Sequence, residues 1–210
     1  MGSAMPTCDK TLASLRTAYI LAGGRSSRFG SSKAMAEVDG RPQIQRLADQ
    51  LRQDAWNPVA VSRRASEFDA LGIQTVVDFE ADRGPVAGVL SGLLDHCTLG
   101  QATSPWALFL SCDLWSWKPE WSGLLVPSVH DLPSVTGVLR YFRAVDFLPL
   151  PCVIHRRALP EIQIAWDRGI RSFRELISSL GQGGVSVPIE PHRGPVSFNT
   201  PEDLRGLRGS

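Results

Sequence analysis

Residues 21–34 read LAGGRSSRFGSSKA, and the reading of this stretch decides the fold. Three glycines, three basic residues and four serines fall in one loop directly behind an apolar run, Tyr19-Ile20-Leu21. Glycine permits positive φ and close backbone approach, so such a loop can turn its N–H groups onto an anion, with Arg28 and Lys33 supplying charge. Two common phosphate loops do not fit. A P-loop carries lysine directly after the last glycine of GxxxxGK[ST], whereas Lys33 trails Gly30 by three positions. A dinucleotide fingerprint is GxGxxG, whereas Gly23 and Gly24 are adjacent and Gly30 lies six beyond. What remains is a strand ending in a glycine turn that faces an anion, with a solvated surface loop as the alternative.

Outward from that loop, residues 17–21 read as a first buried strand. Ile44, Leu47, Leu51 and Ala55 recur at helical spacing, which predicts a helix between Pro42 and Ala55. Residues 58–62 and 73–77 read as strands. From Val86, the positions Val89, Leu90, Leu93, Leu94 and Cys97 form one apolar helical face, with Pro85 in the tolerated first turn. Residues 106–111 (WALFLS) are a continuous apolar strand of the kind covered on both faces.

Farther on, 134–142 and 152–155 read as strands joined by a proline-rich bend, FLPLP. Ser172 with Glu175 forms a capping box, and GQGGVSVPIEPHRGP is a connector holding one short strand. Thr200 caps a terminal helix with Glu202 and Asp203 in its first turn. Strands alternating with helices predict an α/β fold: a three-layer α/β/α sandwich around a Rossmann-like, mostly parallel sheet. Ligands of such sheets bind beyond the carboxyl ends of the strands. The expected organisation is a leader over 1–16 followed by a single domain over 17–210.

Composition narrows the class of partner. The 210 residues carry a net charge of +1, with no block of like charge of the kind that binds nucleic acid. No apolar run approaches the ~18 residues of a membrane span, and the first residues hold no signal-peptide core. Cys8, Cys97, Cys112 and Cys152 are scattered without a CxxC pair, so reduced thiols in a cytoplasmic protein are expected and a zinc site is not. Only Lys10, Lys33 and Lys118 among the 22 basic residues are lysines. A lysine inside the loop is therefore notable, because a compact ammonium suits a point contact to phosphate.

Taken with these readings, the run resembles the signature loop of the MobA-like nucleotidyltransferases, LAGGxSxRxGxxKA. It matches at Leu21, Ala22, Gly23, Gly24, Ser26, Arg28, Gly30, Lys33 and Ala34. Three later stretches resemble the same family. Val76-Val77-Asp78 followed by Gly84-Pro85-Val86-Ala87-Gly88 is similar to its strand-end aspartate and GPLAG. Phe109-Leu110-Ser111-Cys112-Asp113 is similar to its strand followed by CD, with Trp115 where the family commonly has proline. Asn199-Thr200-Pro201-Glu202-Asp203-Leu204 is similar to its NTPEDL, with Ser197 where guanylyltransferases often have a second asparagine. Weaker echoes at Leu150–Arg157 and Gly169–Ser172 fill the gap. The order of matches and the LAGG opening favour the molybdenum cofactor guanylyltransferase branch over cytidylyl relatives, which usually carry LAAG.

The resemblance implies a nucleotidyltransferase that moves GMP from GTP onto the terminal phosphate of molybdopterin and releases pyrophosphate. A cytidylyl or sugar-phosphate transferase, or a non-catalytic nucleotide-binding relative, is the alternative. It implies catalytic roles for Lys33, Asp113 and Arg28. Nucleotide binding is implied at Leu21, Ala22, Gly23, Gly24, Lys33, Asp78 and Asp113, and acceptor binding at Asn199. Mg²⁺ on Asp113 is the implied cofactor, and transient contact with molybdoenzyme maturation proteins the implied protein partnership. The tryptophans at 106, 115, 117 and 121 read as core or contact residues rather than a stacking platform, and His155 has no partner spacing for catalysis or metal.

Overall fold

The computed structural model describes residues 16–23, 32–80, 82–100, 104–127 and 137–207. Seven strands form one sheet in the order β5-β4-β1-β6-β8-β7-β9. They are β1 (Arg16–Leu21), β4 (Trp56–Ser62), β5 (Gln74–Val77), β6 (Trp106–Ser111), β7 (Leu139–Arg143), β8 (Phe147–His155) and β9 (Gly184–Pro188). β8 runs against its neighbours β6 and β7, and the other pairings are parallel. The mostly parallel α/β/α sandwich expected from the sequence is the fold observed. Of the expected leader, residues 1–15 lie outside the described residues, and Arg16 is the first residue of β1.

The central strands are apolar on both faces because helices cover both. Along β6, Trp106, Leu108 and Leu110 face one core while Ala107 and Phe109 face the other. In β1 the same period of two sends Ala18 and Ile20 one way and Tyr19 the other. The first core is closed by α1 (Gln43–Gln53), through Ile44, Leu47, Ala48 and Leu51, and by α3 (Glu120–Leu125). α2 (Pro85–Thr98), α4 (Leu159–Asp167) and α5 (Phe173–Leu180) close the second. α2 can lie low on the sheet because Gly92 has no Cβ, which would stand 2.9 Å from the Phe109 ring. Trp106, Trp117 and Trp121 are buried in the first core.

Two local readings need correction. FLPLP is not a bend between strands but the first half of β8. Its pairing with β7 jumps from Tyr141↔Cys152 to Phe142↔Leu148, so Pro149, Leu150 and Pro151 bulge out opposite no partner. Proline lacks a ladder donor and is tolerated where no ladder bond is needed. The strand expected over 134–142 begins at Leu139, and 134–136 lie outside the described residues. A small hairpin, β2 (Glu37–Val38) and β3 (Arg41–Pro42), also follows the glycine loop, turning at Asp39-Gly40 with positive φ at both. That is the requirement of a tight two-residue hairpin turn.

Both predicted caps form. Ser172 accepts a bond from the Glu175 N–H and donates its hydroxyl to the Glu175 carboxylate. Ahead of α6 (Pro201–Leu207), Thr200 accepts from the Asp203 N–H while the Asp203 carboxylate accepts from the N–H groups of Asn199 and Thr200. These bonds hold Asp203 below the usual carboxylate range, the Asn199 N–H contributing most. Asn199 is thereby fixed at the helix entrance. No described helix is long and apolar enough to cross a membrane.

Candidate active site

The carboxyl ends of β1 and β6 and the N-terminus of α2 enclose a hollow of about 350 Å³. β1 contributes Leu21, Ala22 and Gly23; β6 contributes Ser111, Cys112 and Asp113; the entry to α2 contributes Asp82, Gly84 and Pro85. The β8 bulge adds Leu150 to the wall, which gives that irregular stretch its consequence here. A smaller gap of about 20 Å³ shares Leu21, Gly23, Gly84 and Pro85 with this hollow and is closed by Val61, Gly88 and Asp78.

Lys33 reaches the hollow from a single 3-10 turn over Lys33–Met35. Ala34, completely buried against α1, pins that turn, so the lysine before it must point outward. Its ammonium donates to Asp113 Oδ2 at 3.1 Å and to Asn199 Oδ1 at 3.0 Å. Three residues distant in sequence thus meet at one point.

The backbone explains why they meet. Cys112 N–H donates to Leu21 O, extending the β1–β6 ladder to the foot of Asp113. Beyond it, Leu114 bridges Ser197, Trp115 N–H donates to Val196 O, and Phe198 N–H donates to Asp113 O. The turn carrying Asp113 and the segment carrying Asn199 are therefore laced together as a short two-stranded strip. Ser197 and Trp115, the two departures from the family pattern, both lie in that strip.

Asp78 occupies the adjoining gap. Its N–H donates to Ser62 O, and its carboxylate accepts from Glu80 N–H while lying over Gly23 and Gly88. Burial is the main influence on it and raises its pKa, with the Glu80 N–H pulling the other way. A buried carboxylate with unused acceptor capacity is chemically available to a ligand with N–H donors.

The wall opposite depends on Gly84. Its φ is +97°, and a Cβ there would stand 2.6 Å from the Arg171 carbonyl oxygen. Only glycine lets the entry of α2 close against that turn. Pro85 follows at the first helical position and has no N–H to leave unpaired. Arg171 stacks 3.5 Å from the Trp166 ring and donates to Trp166 O, anchoring the turn from behind.

One expectation about the loop is corrected. The Ala22 amide does not face the hollow, because it donates to Val61 O at 2.9 Å and prolongs the β1–β4 ladder. Ala22 lines the site without offering its N–H. Gly24 and Arg28 lie outside the described residues. Ser111, Cys112 and Leu150, which stand in the matched stretches without an implied role, and Asp82, which stands in none, are wall residues of the hollow. Cys112 is buried, and burial pushes its thiol up to about 12, so it is an inert wall group rather than a nucleophile.

His155 has no place in this site. It begins the short turn ahead of α4, accepting from Arg157 N–H. Burial and the neighbouring Arg157 and Arg156 hold its ring down at about 4.

The donor set suits a hard divalent cation held mainly by a substrate. Among the described residues no group of three or more His, Cys, Asp and Glu side chains could hold a metal ion alone. A single strand-end carboxylate fits an ion such as Mg²⁺ that takes its other ligands from phosphates and water.

Comparison with known proteins decides the family. The sequence profile of the MobA-like NTP transferase domain matches residues 18–183. The chain belongs to the MobA-like NTP transferase family. Within this family, the molybdenum cofactor guanylyltransferase of Pseudomonas paraeruginosa (strain DSM 24068 / PA7) is 31% identical over 207 residues, covering 96% of this chain and 95% of the relative. The fold is shared with the crystal structure of molybdopterin-guanine dinucleotide biosynthesis protein A from Archaeoglobus fulgidus. That match has a TM-score of 0.70 at 19% identity and covers 92% of this chain and 97% of the other. A Mycobacterium tuberculosis H37Rv protein solved as a complex with manganese also shares it, at a TM-score of 0.63 and 16% identity over 93% and 99% of the two chains.

Proposed function

We propose that this chain is a molybdenum cofactor guanylyltransferase, acting in the cytoplasm on GTP and molybdopterin. The observation that carries the reading is the convergence of Lys33 and Asp113 on one hollow at the carboxyl edge of a mostly parallel sheet. That edge is where α/β sheets bind their ligands. The near full-length similarity to the Pseudomonas paraeruginosa guanylyltransferase selects the reaction.

In the proposed reaction an oxygen of the molybdopterin terminal phosphate attacks the α-phosphorus of GTP in line. The new P–O bond forms as the bond to the β-phosphate bridging oxygen breaks, and pyrophosphate leaves with that electron pair. The attacking phosphate is already an anion, so no general base is needed, and positioning and charge neutralisation supply the rate. Lys33 places its ammonium on the charge that builds on the phosphates, and Arg28 is a second cation of the same loop. Asp113 would hold Mg²⁺, which would supply charge neutralisation to the triphosphate. The amides of Gly23 and Gly24 and the N-terminus of α2 cradle the triphosphate. Asp78 accepts the N1–H and N2–H donors of guanine, and Asn199, beside Lys33, faces the acceptor.

A pyrophosphate-release assay with GTP, molybdopterin and Mg²⁺ tests the proposal. Release that requires both substrates is expected. Release with CTP or UTP in place of GTP would instead favour the cytidylyl or sugar-phosphate chemistries. GTP binding without release would make the chain a non-catalytic relative.

A further inference from the structure

Gln43 is the first residue of α1, and its side chain is completely buried. A primary amide in that position needs partners. Its backbone N–H donates to Ala36 O at 2.9 Å, and Ala36 is itself bound to Lys33 O, closing the turn that carries Lys33. Its side-chain Nε2 donates to Leu114 O, directly after Asp113, and its Oε1 accepts from Arg46 Nε at 3.1 Å. Arg46, one turn along, donates to Trp115 O and lays its guanidinium 4.4 Å from the Trp115 ring. One residue therefore bonds to both turns that deliver the Lys33–Asp113 pair, and its neighbour clamps the next carbonyl of the second turn.

We propose that Gln43 is a positioning residue that sets the Lys33 and Asp113 turns in register with each other, with Arg46 completing the clamp on Trp115. It touches no substrate. The backbone N–H survives substitution, so the side chain contributes by holding the Asp113 turn. The clamp rests on the bonds above, whereas its effect on rate rests on the guanylyltransferase reading.

The test is Gln43→Met, which keeps length and burial and removes the donor. Hydrogen exchange of the Leu114 and Trp115 amides should quicken at least ~tenfold while those of β1 and β4 stay as they were. In the pyrophosphate-release assay kcat should fall about tenfold with the KM for GTP within twofold, because displaced groups act on the transition state more than on binding. Unchanged exchange at Leu114 and Trp115 overturns the clamp. A lowered melting temperature with unchanged kcat reduces Gln43 to a structural residue and overturns its role. Should the wild type show no turnover, the guanylyltransferase reading fails and exchange alone judges the clamp. If Gln43→Met does not fold, Arg46→Met is read by the same exchange measurement, and unaltered protection at Trp115 overturns the proposal.

Discussion

The Lys33 ammonium lies 3.1 Å from the Asp113 carboxylate although eighty positions separate them in the chain. Each retains exposure, 18% and 19%, on the side that faces the hollow. In a part-buried pair of this kind desolvation offsets much of the attraction, so its net contribution to stability is small, ~1 kcal/mol. Lys33→Ala and Asp113→Ala should therefore each lower turnover by ~10²–10³ while the melting temperature moves by only a few degrees. Pyrophosphate release and thermal unfolding, measured on the same preparations, check both halves.

Asp78 is set apart from that pair beside the smaller gap, and its acceptor oxygens suit N–H donors rather than a phosphate. Asp78→Ala should raise the KM for GTP about tenfold or more and narrow the preference for GTP over ATP. A steady-state comparison of the two nucleotides reads this out. An unchanged preference would remove Asp78 from base recognition.

Gly84 is where the wall of the site and the stability of the fold meet. Alanine there would adopt a φ that L-residues avoid, costing about 1–3 kcal/mol, and its Cβ would press on the Arg171 carbonyl. In a chain of this size each kcal/mol lowers Tm by roughly 2–4 °C. Gly84→Ala should unfold several degrees early by calorimetry, with a raised KM for GTP as the α2 entrance shifts.

His155 makes stability depend on pH. Its ring is held near 4 in the fold against an ordinary 6.5, so the unfolded chain binds a proton that the folded chain refuses. The neutral ring's contribution is fully present above about 6.5 and is lost as pH falls towards 4. His96, fully buried and lowered chiefly by that burial, adds in the same direction. Melting temperature should fall between pH 7 and 5, and His155→Asn, which can keep the cap on Arg157, should fall less steeply. Parallel curves for the two proteins would refute the assignment.

Much of this architecture is legible in the residues themselves. β6 occupies the WALFLS run, and α2 follows the apolar face from Val86, because burial on both faces or on one face leaves an unbroken pattern. The β8 bulge is not legible: whether Pro149 and Pro151 break a strand depends on partners in β7 that proline spacing cannot reveal. The β2–β3 hairpin goes unread, because the two-residue strands on either side of Asp39-Gly40 are too short to show alternation. Motifs brought out Lys33, Asp113 and Asn199, since loops that bind phosphate keep a short local signature. Gln43 has none, because its bonds are to distant carbonyls. The Ala22 amide likewise looks free until the β1–β4 ladder is seen to run one residue past the strand.

The most direct measurement is a crystal structure with a non-hydrolysable GTP analogue and Mg²⁺. The triphosphate should lie between Lys33 and Asp113, with the ammonium within hydrogen-bond reach of a phosphate oxygen, the metal on the Asp113 carboxylate, and guanine against Asp78. A nucleotide bound elsewhere, or one that leaves the Lys33–Asp113 contact untouched, would contradict the account.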